Sequence, residues 1–242
     1  MEWSGEWPIV NPGRGIVEMT CPAPELPDCP LTVPDNDDPH SFVWNYLGTP
    51  DNNPVRMEGR DVLIRCVKAP LLPVPGEDVD YAAHALGWYG RRQQHMSFTA
   101  DVTAALPDAP GVTCGLMVMQ NDFFGLRLEI SREESGLLVR ALKTTVRATG
   151  YRHWAKDLPV TEELLGETHR ADGAVQLTLS AEGQEFALAV NGSVIGRADG
   201  GFMGSETCMG FVGAYICLYA SGNGVEQDCE ARFSGFRYRG KC

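Results

Sequence analysis

The chain has 242 residues, with 20 Lys and Arg against 32 Asp and Glu, and a net charge of −12. An acidic chain without a Lys/Arg block repels phosphate backbones and anionic lipid, which argues against nucleic acid and membrane as partners. No apolar stretch approaches the roughly 20 residues that span a bilayer, and 27 Gly with 16 Pro suit a turn-rich β protein better than a helical bundle.

In chain order, residues 1–40 read as an extended arm. Pro recurs at Pro8, Pro12, Pro22, Pro24, Pro27, Pro30, Pro34 and Pro39, and repeated Pro blocks helix and interior strand. Met1 to Pro8 has no basic start and no apolar h-region, so no secretory leader is visible. Asp35-Asn36-Asp37-Asp38 reads as a solvated loop; it lacks the alternating ligands and turn Gly of a calcium loop. From residue 41 the pattern is β. Asp61 to Cys66, Val112 to Met119, Phe123 to Ile130 and Leu137 to Val146 are successive strand runs, with a turn at Glu133–Gly136. Thr161 to Gly166 reads as one short helix. Val175, Leu177 and Leu179 alternate with Gln176 and Thr178, and Glu182-Gly183 then turns the chain into Phe186, Leu188 and Val190. Asn191-Gly192 is a hairpin signal, because both residues tolerate the positive φ of a type I′ turn. Met209 to Tyr219 and Cys229 to Tyr238 close the chain. Roughly a dozen strands at this spacing predict an all-β jelly-roll sandwich of two antiparallel sheets with very little helix.

Of the eight Cys, Cys66, Cys114, Cys208 and Cys217 sit in apolar segments and read as core, while Cys21 and Cys29 flank a Pro-rich stretch and could pair. No C-x-x-C occurs and no His stands at zinc spacing from a Cys, so no zinc site is assigned; no cofactor is expected, and a bound cation is left open. Nucleophile-elbow and phosphate-loop motifs are missing from the sequence. Glu129 and Glu133, with Ser131 between them, share one face of a predicted strand. Four residues of straight strand separate them by roughly 13 Å, too far for a glycosidase carboxylate pair at about 5–9.5 Å without a bulge. Tyr81, His84, Trp88, Arg91, Arg92 and Gln93 combine aromatics, which stack on sugar rings, with donors that bond paired hydroxyls. Trp88 to His95 also reads as a strand whose aromatics are core; the loop before it, Pro75 to Leu86, is the better place for function.

Gly90-Arg91-Arg92-Gln93-Gln94-His95 resembles the A-R-R-Q-x-H signature in the C-terminal β-sandwich of glycoside hydrolase family 43 β-xylosidases and α-L-arabinofuranosidases. Further segments agree in order. Trp3 to Pro8 is similar to W-x-x-x-W-P, and Trp44 to Pro50 to W-N-x-L-R-x-P with Gly48 replacing Arg. Phe211 to Tyr215 resembles F-T-G-A-F, and Ala231 to Phe236 resembles A-D-F-D-Y-F. The resemblance implies a concanavalin A-like sandwich over 41–242 that packs on a β-propeller carrying all the catalytic carboxylates. It also implies that the loop before R-R-Q helps close the propeller's pocket with a Phe. The corresponding Asp78 to Leu86 contains no Phe, leaving Tyr81 or His84 for that role, and Arg232 and Ser234 occupy the places of two Asp that a cation would need.

The resulting expectation is a non-catalytic accessory domain, working with a family 43 propeller in cis or in trans on xylo- or arabino-oligosaccharides, and exposing a large apolar patch where that partner docks. A stand-alone lectin-like carbohydrate-binding module is the alternative, and an independent hydrolase using Glu129 and Glu133 the weakest. The chain belongs in the cytoplasm if Met1 is its natural start; an excised domain leaves an extracellular parent open.

Overall fold

Inward-facing apolar side chains at every second position draw the strands into two stacked sheets. The computed structural model describes residues 2–4, 7–9, 13–14, 37–47, 53–71, 86–121, 123–146, 160–208 and 213–241. The chain divides into two compact units, Met1–Pro30 and Leu31–Cys242. In the first, β1 (Glu2–Ser4) and β2 (Trp7–Ile9) pair antiparallel with Trp3 opposite Pro8. Cys21, Cys29, Tyr81, His84 and Pro75 to His84 as a whole lie outside the described residues.

The second unit contains β3 (Trp44–Tyr46), β4 (Val55–Glu58), β5 (Asp61–Arg65), β6 (Trp88–Arg92), β7 (Ser97–Ala105), β8 (Thr113–Asn121) and β9 (Phe124–Glu133). They are followed by β10 (Gly136–Val146), β11 (Val160–Arg170), β12 (Val175–Glu182), β13 (Glu185–Val190), β14 (Ser193–Asp199), β15 (Tyr215–Ser221) and β16 (Glu230–Lys241). One seven-stranded sheet runs β11-β10-β9-β8-β15-β6-β3 and the other β14-β13-β12-β7-β16-β5-β4, with every described pairing antiparallel. This is the two-sheet sandwich the sequence predicts.

Between the sheets, Cys114, Leu116, Val118, Leu126, Leu128 and Ile130 of the first meet Phe98, Ala100, Val102, Leu177, Leu179 and Leu188 of the second. In β16 a bulge between Ser234 and Arg237, with Gly235 at φ 64, keeps both Phe233 and Phe236 on the inner face although they are three residues apart. The turn at Asn191 and Gly192 has φ values of 48 and 81, as the hairpin signal requires. Cys66, Cys114, Cys208 and Cys217 are buried.

Two sequence expectations are corrected. Thr161 to Gly166 is not helical; it lies in β11, whose ladder with β10 runs from Leu137↔Arg170 to Val146↔Val160. The local helix preference of Glu-Glu-Leu-Leu yields to ten cross-strand pairings along an edge strand. The strand expected from Met209 begins at Tyr215, and the helical turns among the described residues are Gly200–Met203 and α1 (Ser205–Cys208).

Candidate functional site

Trp44, Arg91 and Phe236, one from each of three sequence signatures, meet inside the sandwich. Trp44 stacks on Tyr89 at 4.9 Å and 13° and meets Phe236 edge-on at 4.8 Å. The Tyr89 hydroxyl donates to the Pro39 carbonyl at 2.7 Å. Arg91, almost fully buried, lies 4.3 Å over the ring of Tyr238 and donates to Gln94 Oε1 at 2.7 Å. The Tyr238 hydroxyl accepts from the backbone N–H of Gln94 and of His95, each at 3.2 Å. Burial lowers the Arg91 pKa from its ordinary value, while the ring of Tyr238 and Asp37 oppose that. Arg91 therefore ties the first sheet to the second, and Gln93, whose amide donates to the His95 carbonyl at 3.0 Å, stiffens the connector beside it. Asp37 belongs to the same junction: its carboxylate accepts from Tyr238 N at 2.8 Å and from Arg239 at 2.6 Å. It is half-buried rather than part of a solvated loop.

Trp88 and Arg92 point the other way, onto the outer face of the first sheet. Trp88 is buried there with Met117, Met119, Cys217 and Tyr219, and its indole N–H donates to the Met119 sulfur at 3.1 Å. The indole lies over Gly90: a Cβ there would stand 2.7 Å from the ring carbons of Trp88 and 2.8 Å from Cys217 Cβ. Gly90 stands where the family signature has Ala, and that hydrogen side chain is what lets the indole lie flat. Tyr215 packs 5.5 Å from Trp88 and carries the exposed Arg92 guanidinium 4.8 Å above its ring. The connection between β5 and β6 crosses this face at both ends, since Val67, Ala69 and Leu71 on one side and Leu86 on the other pack on the same cluster. Among the described residues, the large apolar patch expected from the sequence is not bare here; the two ends of the connection cover part of it. Exposed large apolar side chains are spread over Phe42, Tyr46, Met96, Leu164, Val194 and Val225.

Farther along this face, a charged network is sunk among apolar neighbours. Arg127 donates to Glu129 Oε2 at 3.1 Å and to the Thr144 hydroxyl at 2.8 Å, and it pairs with Glu162. Glu129 Oε1 accepts from Arg140 at 2.8 Å, and its Oε2 from the Tyr219 hydroxyl at 3.4 Å. Burial alone would depress the Arg127 guanidinium, but Tyr219, Glu129 and Glu162 hold it above its ordinary value. Burial and the Glu129 charge push the Tyr219 hydroxyl well up. Glu133 sits apart at the turn, beside His169 at 3.5 Å. Both oxygens of Glu129 are engaged in this ion network and Glu133 stands outside it, so the two are not arranged as an acid/base couple.

At one end of the sandwich a cavity of about 380 Å³ opens between Gln93–Met96, Gly183–Gln184 and Gly200–Gly204. Among the described residues its polar side-chain lining is Gln93, Gln94, His95 and Gln184, amides and an imidazole without a carboxylate. Among the described residues no group of three or more His, Cys, Asp or Glu could hold a metal. Arg232 fills that role between carboxylates, pairing with Asp61 at 2.7 Å and with Glu58.

Of the sequence candidates, Trp88 and Arg92 share the outer face, Arg91 lies inside, and Gln93 borders the cavity. Sequence reasoning missed Tyr215, Tyr219 and Arg127. The available signal was the near-continuous apolar run of β8, which does not alternate as a strand wetted on one side does.

A two-sheet antiparallel sandwich with its signature residues spent on packing defines a concanavalin A-like accessory domain. The sequence model of the family described as the beta xylosidase C-terminal concanavalin A-like domain matches residues 36–239, and the chain belongs to that family. It is 27% identical over 241 residues to the non-reducing end alpha-L-arabinofuranosidase BoGH43B of Bacteroides ovatus, covering 98% of this chain and 43% of that protein. The solved GH43 protein BlXynB of Bacillus licheniformis shares the fold with a TM-score of 0.68 and 19% identity, over 91% of this chain and 42% of that one. The Bacteroides ovatus xyloglucan GH43B structure superposes with a TM-score of 0.65 and 19% identity, over 93% of this chain and 42% of that one. The chain thus spans less than half the length of these relatives, which carry the sandwich within a longer GH43 protein, and corresponds to their accessory part.

Proposed function

We propose that this sandwich buttresses a family 43 β-propeller in cis and forms one wall of its pocket for xylose- or arabinose-bearing oligosaccharides. The observation that carries the reading is the anchoring of both stems of segment 72–85: Leu71 and Leu86 pack on the buried Trp88–Met119–Tyr219 cluster. Tyr81 and His84 lie between these anchors in the sequence, and binding residues are disproportionately carried on loops set by a rigid scaffold. The relatives' names supply the sugar class. An immunoblot of source extract should show a band more than twice 26.4 kDa. In that protein Tyr81→Ala or His84→Ala should raise KM for an aryl xyloside or arabinofuranoside about tenfold, the loss of roughly 1.4 kcal/mol of contact. A band at 26.4 kDa, or unchanged kinetics in both variants, would sink the reading.

The cavity beside Gln93 favours a second reading, a carbohydrate-binding module. Uncharged amides and an imidazole suit neutral hydroxyls. Calorimetric titration of the isolated sandwich with xylo-oligosaccharides separates the two, since the buttress reading expects no heat of binding.

A further inference from the structure

β5 and β16 pair antiparallel, with Arg65 opposite Glu230 and Ile64 opposite Ala231. One residue farther, the Cys66 N–H donates to the Cys229 carbonyl at 2.9 Å, so the ladder continues and the two cysteines face each other. Directly opposed side chains leave an antiparallel pair on the same face. Here that is the inner face, because Ile64 and Ala231, each two residues away, are fully buried in the core. Cys66 is likewise fully buried, and Cys229 is half-buried against the same core. Burial first, and the neighbouring Cys229 after it, raise the Cys66 thiol. Opposed Cα atoms at a hydrogen-bonded position stand about 5.5 Å apart, within the roughly 4.4–6.8 Å that a disulfide spans. Both residues are free thiols in this structure.

We propose that Cys66 and Cys229 form a cross-strand disulfide when the protein meets a small-molecule or protein disulfide, fastening the start of the β5–β6 connection to the last strand. The half-buried Cys229 is the entry point. Its thiol gives up its proton and attacks the donor disulfide, whose S–S bond breaks and releases one thiolate, which takes up a proton. Cys66 then loses its proton, attacks the Cys229 sulfur and expels the second thiolate. Two protein thiols and one donor disulfide become one protein disulfide and two donor thiols. Burial pushes the Cys66 thiol up to about 12, which makes the second step the slow one.

Cys114 is the competing partner, since Cys66 adds to the burial that raises its thiol. It lies in β8 of the other sheet, however, and stacked sheets stand about 10 Å apart, beyond the roughly 7 Å Cα limit of a disulfide.

The test is to incubate the folded protein carrying this sequence with oxidised glutathione, block remaining thiols, and digest with trypsin and a Glu-specific protease. The expected product is Cys66-Val67-Lys68 joined to Gln227-Asp228-Cys229-Glu230, two hydrogens lighter than the separate peptides and released by dithiothreitol. Because the bond closes a long stretch of chain, the oxidised protein should also melt several degrees higher than the reduced one. Cys229→Ser should abolish both the linked peptide and the oxidant-dependent shift. Recovery of Cys66 unlinked, or joined to Cys114 or any other cysteine, would overturn the proposal, and this readout on the unaltered protein needs no variant to fold.

Discussion

The two outer faces of the sandwich are built on opposite principles. Along the outer face of the second sheet, β7 and β12 alternate buried and half-exposed residues, and the charges Arg56, Glu58, Arg232, Asp101 and Arg237 pair in water. Along the outer face of the first, eight successive residues of β8 are buried, and Arg127 and Glu129 pair out of water. Ion pairs that look alike on a contact map therefore have different weights, because desolvation makes an orphaned buried charge expensive and leaves an exposed one nearly neutral. One face is a wetted wall, and the other is a second core on which a connection is mounted.

The largest expected effect comes from orphaning the buried network. Glu129→Ala leaves Arg127 and Arg140 without their shared acceptor and should cost about 3–5 kcal/mol, read as a drop in urea midpoint at constant m-value. Replacing the pair together, Arg127→Met with Glu129→Leu, should recover part of that loss. A Glu129→Ala midpoint within error of the unaltered protein would mean that the first sheet's face is as wet as the second's.

Next is the apolar half of that face. Trp88→Ala empties a buried site and should cost about 3–5 kcal/mol. Gly90→Ala introduces a Cβ that would meet the indole at 2.7 Å, so the ring must shift at a cost of about 1–3 kcal/mol. Both should raise protease sensitivity within 66–86 before the rest of the sandwich, since that connection rests on the indole's cluster. Uniform cleavage in Trp88→Ala would show that the connection does not depend on it.

How legible these faces were in the sequence follows from what each is made of. The second sheet's alternation at Val175, Leu177 and Leu179, the Asn191-Gly192 turn and the signature runs are local patterns, and they led to the right fold. The signatures Trp44, Arg91 and Phe236 proved to be packing residues that meet across the sheets, which is why motif order identified the sandwich but not a site. The first sheet's outer face was opaque for a different reason. Arg127 and Glu129 are polar in the sequence, and only their neighbours Tyr219, Arg140, Thr144 and Glu162, brought from other strands, make them buried. The helix expected at Thr161–Gly166 failed likewise, because a partner strand settles an edge segment more firmly than its own propensity does.

The buried tyrosines of both layers should respond to alkali. Burial raises the hydroxyls of Tyr89, Tyr219 and Tyr238 above the ordinary value of 10. A raised acid stays protonated in the folded state while the unfolded chain ionises. Its stabilising contribution is therefore complete below pH 10 and falls away as the pH climbs toward the folded values. Thermal melts should be flat from pH 8 to about 9.5 and drop above pH 10. Tyr238→Phe should lower stability by about 1–3 kcal/mol, because two backbone N–H groups lose their acceptor, and should make the alkaline drop shallower. An equally steep drop in that variant would place the alkaline sensitivity elsewhere.

The smallest effect is expected on the wetted wall, and it is the control for the rest. Arg237 donates twice to Asp101 Oδ1, at 3.0 and 2.7 Å, and Arg56 reaches both Glu58 and Glu230. These guanidinium groups are solvated, so unpairing them returns each to water that already reaches it. Arg237→Ala and Arg56→Ala should each move Tm by less than about 2 °C, and added salt should erase even that difference within the Debye length of about 3 Å at 1 M. Glu58, held below the ordinary carboxylate range by Arg56 and Arg232, contributes above its unfolded pKa and loses that contribution as the pH falls through its folded one. Salt should weaken the same acid limb, whereas the buried network around Glu129 should keep its effect in 1 M salt. If salt erased the Glu129→Ala penalty as well, the two faces would differ in composition but not in dielectric.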